Sequence, residues 1–163
     1  MGKIILDGML GKLSRWLRML GVQTEYYSGV GDEELLRILQ NNPGSILLTR
    51  DKTLHVILRR RGFSSILVPG GSEDDVLAWV LERLKVEPFF KPEKALCSIC
   101  GSQLIRVEPS EVVGKVPERV LETYREFYLC KGCGQVYWLG THITEIEKKL
   151  ERVRWIIYGK VVC

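Results

Sequence analysis

Residues 1–90 alternate short apolar runs with amphipathic helical patterns, and this alternation constrains the fold more than any other feature. Strand-like runs occupy residues 3–6, 24–27, 45–49 and 64–68, and helical patterns occupy 9–20, 32–42, 52–61 and 72–85. Strands that alternate with helices form right-handed βαβ units, which place the strands side by side in a parallel sheet. We therefore predict an α/β fold with a parallel sheet flanked by helices.

Two of the predicted strands lead directly into an aspartate. Asp7 follows the first apolar run, and Asp51 follows the third through Thr49 and Arg50. A carboxylate at the end of a buried strand costs free energy unless it has a partner. In an open parallel sheet, ligands bind outside the carboxyl ends of the strands where the strand order reverses. If the first and third strands are neighbours, the two carboxylates meet in one crevice.

Asp32 is a third acid that can face the same edge, because it follows the second strand and opens the second helical pattern. Three carboxylates in one crevice repel one another unless a cation lies among them. Carboxylate oxygens suit Mg²⁺ or Mn²⁺, which can activate water and stabilise the leaving oxygen of a phosphodiester. Asp7, Asp32 and Asp51 are therefore the candidate catalytic and metal-binding residues.

Helix capping is the structural alternative for each of these acids. Asp7, Asp32 and Asp51 each precede or open a helical pattern, where a carboxylate can accept backbone N–H bonds and complement the helix dipole. One such acid is unremarkable in any α/β protein. Two acids that close apolar strands at one edge of one sheet favour the metal-binding interpretation.

Basic residues lie close to the acids in the sequence. Lys12, Arg15 and Arg18 recur every three residues along the first helix, and Arg50 directly precedes Asp51. These four residues are candidates for binding substrate phosphates, and an ordinary solvated helix face is the alternative for the first three. The formal net charge of +4 is a weak indication of an anionic partner.

The cysteines define a second site. Cys97 and Cys100 form one CxxC pair, Cys130 and Cys133 form another, and each pair is followed by a glycine. Two such pairs in one small module predict a structural zinc site with four thiolate ligands. Disulfides are the alternative, but they do not suit a reducing compartment. Cys163 is predicted to be a free thiol.

The chain is expected to be cytoplasmic. Its 163 residues are 45% hydrophobic and 27% charged, which indicates a protein with a core and a charged surface. No apolar run approaches the roughly 20 residues of a membrane span. The opening apolar run is short and stops at Asp7, unlike the apolar region of a secretory signal peptide.

The predicted domain organisation has three parts. Residues 1–86 form the α/β domain, 87–96 a proline-containing linker, and 97–163 a small zinc ribbon with a C-terminal helix. The helix pattern over 141–158 has an apolar face that docks either on the first domain or on a second subunit, which would give a homodimer. Tyr128 and Trp138 either stack on RNA bases or belong to the core of the ribbon.

The blocks "ILDGMLGKLSRWLRMLG", "DEELL", "LLTRDKTL", "CSICG" and "CKGCGQVYWLGTH" together resemble the PIN-like ribonucleases, in particular the Mut-seven C-terminal RNase domain branch with a trailing zinc ribbon. The resemblance runs from about residue 3 to 150 in the same order. It implies a PIN-like sheet whose clustered acids, Asp7, Asp32 and Asp51 by position, bind divalent metal and cut RNA. Thr53 departs from the family pattern, which usually has a further aspartate there.

Two functions follow from these observations. The first is a metal-dependent endoribonuclease in which the zinc ribbon aids RNA binding. The alternative is a non-catalytic RNA- or ribosome-associated protein in which the PIN-like domain is a degenerate scaffold, and Thr53 is the feature that favours it. A haloacid-dehalogenase-type phosphatase fits less well, because Met9 stands where its second aspartate would be.

Overall fold

The computed structural model describes residues 2–159. The first half consists of strand β1 (Ile4–Leu6), helix α1 (Gly11–Met19), β2 (Thr24–Tyr26), α2 (Asp32–Asn41), β3 (Ile46–Thr49), α3 (Lys52–Arg60), β4 (Ser64–Leu67) and α4 (Glu73–Leu84). Every element of the predicted alternation is present, and the α/β class is confirmed. Cys163 lies outside the described residues.

The four strands form one parallel sheet in the order β2-β1-β3-β4. Strands β1 and β3 are neighbours, and Leu6 at the end of β1 pairs with Leu48 of β3. The chain leaves β1 toward β2 on one side and later returns to β3 on the other side. The strand order therefore reverses between β1 and β3, beside Asp7 and Asp51.

The sheet separates two apolar cores, because side chains along a strand point alternately to opposite faces. Ile4 and Leu6 enter the core that α1 and α4 cover, whereas Ile5 enters the core that α2 and α3 cover. Ile5 and Leu6 are fully buried, and burying one such side chain stabilises the fold by about 1.5–3 kcal/mol. The sheet edge that carries the acids is thus held by packing on both faces.

The C-terminal part contains β5 (Leu104–Val107), a 3₁₀ helix (Pro109–Val112), α5 (Glu118–Thr123), β6 (Phe127–Cys130), β7 (Val136–Trp138) and α6 (His142–Tyr158). Strands β5, β6 and β7 form an antiparallel sheet, which is the ribbon expected around the cysteines. Phe127 is fully buried in its core. This architecture is consistent with the small zinc-ribbon domain that the sequence predicts.

Helix α6 packs against the first half of the chain rather than against the ribbon alone. Leu150 and Val153 are fully buried, and Val153 belongs to the core formed by β1, α1 and α4. Of the two positions left open for this helix, the structure shows docking on α4. The boundaries at residues 86 and 96, and a homodimer, remain predictions. Among the helices of residues 2–159, none combines the length and the apolar composition that a membrane span requires.

Candidate functional site

Asp7 and Asp51 lie at the carboxyl ends of neighbouring strands, and the hydroxyl of Thr49 connects them. Thr49 is fully buried, and its Oγ1 donates a short hydrogen bond to Asp7 Oδ2. The same oxygen accepts the backbone N–H of Asp51 at 3.0 Å. One side chain at the end of β3 therefore fixes both the Asp7 carboxylate and the backbone that carries Asp51.

The carboxylate of Asp7 is held on both oxygens. Besides the bond from Thr49, Oδ1 accepts the backbone N–H of Met9 at 3.3 Å. Asp7 is only 8% exposed, yet it does not cap α1, whose N-terminal cap position is Leu10. The capping alternative therefore does not describe Asp7. A buried acid with no cation beside it needs such hydrogen bonds to offset its desolvation.

Asp51 does cap a helix. Its Oδ1 accepts the backbone N–H of Leu54 at 3.0 Å, which satisfies one of the free donors at the start of α3. Asp51 is exposed, and capping engages only one of its two carboxylate oxygens. The capping and metal-binding interpretations are thus compatible for this residue. Thr53, the departure from the family pattern, is exposed in the first turn of the same helix.

Asp32 opens α2 on the far side of β1, and its side chain is exposed. The cap position of α2 is Gly31. Asp32 therefore does not cap the helix, but its negative charge interacts favourably with the positive end of the helix dipole. Within residues 2–159, carboxylate oxygens of the three aspartates do not gather within 4.8 Å of one another. The structure connects the Asp7 carboxylate to the backbone of Asp51 through Thr49 and does not bring Asp32 into one cluster with them.

Three of the four basic candidates face solvent near this edge. Lys12 and Arg15 lie exposed on α1, and Arg50 is exposed between Thr49 and Asp51. The Lys12 ammonium donates a hydrogen bond to Glu73 of α4 at 2.8 Å, which joins the two helices beside the acids. All three side chains are accessible to a polyanion. The exposed Lys12–Glu73 ion pair is weak, so Lys12 can leave Glu73 for a phosphate.

Arg18 has a different environment, which does not fit the expected role in substrate binding. It is 7% exposed, and its guanidinium donates to the carbonyl oxygens of Thr24 at 3.2 Å and Ile99 at 3.1 Å. Its own carbonyl accepts the N–H of Leu96 at 2.9 Å. Arg18 therefore joins α1 and β2 to the first cysteine pair, and its donors are committed to protein groups.

The four cysteines form the second site. Their sulfur atoms all lie within 4.8 Å of one another, with Cys97 and Cys133 at 3.7 Å and Cys100 and Cys130 at 3.3 Å. Tetrahedral coordination with metal–sulfur bonds of about 2.3 Å requires sulfur separations of about 3.8 Å. The set fits a four-coordinate metal ion.

The two CxxC loops have the same backbone hydrogen bonds. Gly101 donates to the carbonyl of Cys97 at 2.8 Å, and Gly134 donates to that of Cys130 at 3.1 Å. Both glycines have φ of +79°, a conformation that residues with a Cβ rarely adopt. The glycine after each cysteine pair is therefore required by the turn that aims the two sulfurs at one point.

The thiols cannot all ionise without a cation. Hydrogen bonds from Ser102 lower the pKa of Cys100 to about 6. The Gln135 backbone favours the Cys133 thiolate, but desolvation and the neighbouring sulfurs raise the pKa of Cys133 to about 12. A divalent ion removes this conflict because it stabilises every thiolate that binds it.

The aromatic residues of the ribbon divide between core and surface. Phe127 is buried in the ribbon core, and the half-buried Trp138 packs against this core with its ring centroid 6.5 Å from that of Phe127. Tyr137 places its hydroxyl 3.1 Å from Cys97 Sγ, and desolvation together with this sulfur raises the pKa of Tyr137 to about 12. Tyr128 is half-buried beside an apolar cavity of about 320 Å³ that Trp138 also lines.

Sequence reasoning missed two residues of the acid site, Thr49 and Glu73. Thr49 lies two residues before Asp51 and at the end of a buried strand, a position from which a hydroxyl can reach the neighbouring strand. Glu73 has no signal in the sequence, because only the tertiary packing of α1 and α4 brings it to Lys12. Asp75, another acid near the start of α4, forms a reciprocal hydrogen-bonded pair with Ser72.

The fold and the two sites define an α/β protein with acids at the switch point of a parallel sheet and an attached cluster of four cysteines that can hold a metal ion. The chain belongs to the Mut7-C RNAse domain family, whose model matches residues 2–150. This match confirms the resemblance drawn from the sequence blocks, and the family's description implies a nuclease with RNA as substrate. No curated protein and no solved structure matches the chain.

Proposed function

We propose that this protein is a divalent-metal-dependent endoribonuclease that hydrolyses RNA phosphodiester bonds at Asp7, Asp32 and Asp51. The observation that carries the proposal is the pair of acids at the ends of β1 and β3, connected by the Thr49 hydroxyl, in a chain of an RNase family. The switch point of a parallel sheet is where this fold class places its chemistry.

Asp7 and Asp51 would hold Mg²⁺ or Mn²⁺, with Asp32 contributing from the rim. Carboxylate oxygens are the ligands these ions prefer, and Asp51 keeps one oxygen outside its helix cap. When bound, the ion would stabilise the negative charge that develops on the phosphodiester and would help to activate the attacking water. Thr49 and the Met9 N–H hold the Asp7 carboxylate in one orientation, while Lys12, Arg15 and Arg50 bind the flanking phosphates.

The four-cysteine centre is proposed to hold zinc with a structural role. Tetrahedral sets of four thiolates favour zinc. The first CxxC loop contacts α1 through the hydrogen bond from Arg18 to the Ile99 carbonyl. Tyr128 is the ribbon aromatic that we propose for contact with RNA bases, since Phe127 and Trp138 pack in the ribbon core. RNA is the proposed partner, and the cytoplasm the proposed location.

The alternative function is that of a non-catalytic RNA- or ribosome-associated protein. Thr53 favours it, because an exposed hydroxyl replaces a further acid in the first turn of α3, next to Asp51. Fewer carboxylates weaken the second metal position of a nuclease site. Binding of RNA without cleavage is the result that separates this alternative from the endonuclease.

The decisive experiment compares wild type with Asp7→Asn in an RNA cleavage assay containing Mn²⁺. Asparagine keeps an oxygen for the Met9 N–H but removes the charge that a metal needs, so cleavage should be lost while the fold is retained. Asp75→Asn is the matched control, since Asp75 is exposed and pairs with Ser72, and it should remain active. A fully active Asp7→Asn protein would contradict the proposal. Intact RNA binding by an inactive wild type would favour the alternative.

A further inference from the structure

A cavity of about 460 Å³ opens between α1 and α4 beside the acid site. Its apolar surface comes from Met9, Trp16, Val76 and Leu77, and charged side chains of Lys12 and Arg50 stand on its rim. Val76 and Leu77 are buried in the core, so this surface is rigid. The volume lies within the range of about 300–1,000 Å³ that is usual for small-ligand pockets.

The cavity is tied directly to the proposed catalytic residues. The backbone N–H of Met9 donates to Asp7 Oδ1 at 3.3 Å, while the Met9 side chain lines the cavity. Arg50, on the opposite rim, immediately precedes Asp51. A group bound in this cavity would therefore lie next to the position where Asp7 and Asp51 act.

The side chains suit a flat, apolar ligand that carries negative charge beside it. Met9 is 70% exposed, an unusual exposure for a thioether at the mouth of an apolar cavity. Trp16 is half-buried and lines the cavity, whereas the Lys149 ammonium, 5.3 Å from the centroid of its ring, lies outside the lining and pairs with Asp74. The Lys12 and Arg50 cations outnumber the one carboxylate on the rim, Glu73.

We propose that this cavity binds one unpaired base of the RNA, adjacent to the phosphodiester that is cleaved. Met9 and Trp16 contact the base, while Lys12 and Arg50 contact the phosphates on either side of it. A base in a duplex is stacked and paired, so only a nucleotide free of its partner can enter. The inference rests on the proposed endoribonuclease function and adds a base subsite formed by α1 and α4.

The test uses a set of short single-stranded RNA molecules in which one abasic ribose is moved stepwise along the same sequence. Wild type with Mn²⁺ should cut the bond beside the abasic position about tenfold less efficiently, because one base–side chain contact is lost. Cleavage at bonds further away should be unchanged. Equal cleavage at all bonds, wherever the abasic ribose stands, would overturn the subsite.

Met9→Ser links this effect to the cavity without disturbing the core, since Met9 is exposed. The variant should cut intact RNA several-fold less efficiently and should lose most of its sensitivity to the abasic ribose. Val113→Ser is the matched control, because Val113 is also exposed, at 65%, but lies outside the cavity. An abasic effect of full size in Met9→Ser would also overturn the proposal.

A separate binding measurement keeps this inference distinct from the nuclease proposal. Fluorescence anisotropy of wild type with the same labelled RNA set, without added divalent metal, reports base contact whether or not cleavage occurs. Weaker binding of one abasic RNA in wild type but not in Met9→Ser supports the subsite even if no RNA is cut. The subsite is rejected, even if cleavage is observed, when wild type binds every abasic RNA as tightly as intact RNA. It is also rejected when duplex RNA binds as tightly as the single strand.

Discussion

At the scale of single residues, the geometry of the acid site depends on one buried hydroxyl. Thr49 Oγ1 donates to Asp7 and accepts from the Asp51 N–H, so it bridges two strands and the start of α3. A buried donor or acceptor that loses its partner costs about 1–3 kcal/mol. Thr49 is therefore a positioning residue for both acids.

Thr49→Val should lower both stability and cleavage, because valine has nearly the shape of threonine but cannot form either hydrogen bond. The expected loss is about 1–3 kcal/mol of unfolding free energy. Thr49→Ser keeps the hydroxyl and should restore much of the cleavage rate, although it leaves a small cavity. Thermal melts and initial cleavage rates of the two variants measure these effects. Equal rates for the two variants would show that the hydroxyl does not position the acids.

At the scale of helices, ion pairs between α4 and α6 add to their apolar contact. The carboxylate of Asp74 accepts hydrogen bonds from Lys149 Nζ and Arg152 Nε, each at 2.7 Å. Burial alone would raise the pKa of Asp74, but the hydrogen bonds from these two cations outweigh it and hold the pKa below its usual value. Docking of α6 is thus linked to the ionisation of one acid.

Asp74→Asn should lower the melting temperature at neutral pH, and the difference from wild type should shrink in acid. Because the folded-state pKa is depressed, this stabilisation is fully present above the unfolded-state pKa of about 3.9 and is lost as pH falls through the lower folded-state value. Melts from neutral pH to about pH 3 test this. Glu145→Gln, which removes only a surface pair within α6, should have little effect at any pH.

Helix α1 presents a basic surface, defined by Lys12 and Arg15, beside the acids. Replacing both with glutamine should weaken RNA binding and flatten its salt dependence. Each lost phosphate contact should make the slope of log K against log[salt] shallower by about 0.7 for single-stranded RNA, because fewer counterions are released. Arg59 and Arg60 at the end of α3 are exposed too, and their double glutamine variant is the control. Similar salt slopes for the two variants would assign Lys12 and Arg15 to an ordinary solvated face.

At the scale of the whole molecule, Arg18 joins the four-cysteine cluster to the α/β domain. The Arg18 guanidinium donates to carbonyls of the first cysteine loop, and its carbonyl accepts the Leu96 N–H. Gly21 lies at the same junction with φ of +84°, and an added Cβ there would approach the Lys94 carbonyl oxygen to 2.9 Å. The first cysteine loop, when it keeps its conformation, therefore stabilises the C-terminal end of α1 through the hydrogen bonds of Arg18.

Cys97→Ser should reduce the zinc content from about one ion per chain and loosen this junction, because the loop carbonyls that partner Arg18 lose their fixed position. Metal analysis reports the first effect. Hydrogen exchange of the Leu96 N–H reports the second, and it should quicken while the Ile46 N–H, bonded to Lys3 within the first domain, stays protected. Unchanged exchange at Leu96 would show that the two sites are independent.

Local sequence patterns are sufficient to predict the strands and helices, the acids that follow β1 and β3, and the cysteine loops. Each depends on a local pattern: alternating apolar runs define strands and helices, and CxxC followed by glycine defines a metal loop. Helical periodicity also separates Arg18 from Lys12. At 3.6 residues per turn, six residues place it about 120° around α1 from Lys12, so the three basic residues do not share one face.

Tertiary packing determines which of these strands, helices and loops contact one another. The Thr49 bridge needs β3 beside β1, the Lys12–Glu73 pair needs α1 beside α4, and the cavity between these helices needs both of them over one core. It also decided that α6 docks on α4 through Leu150 and Val153. An apolar helix face encodes that it will be buried, but the surface that buries it is set by packing between residues far apart in the chain.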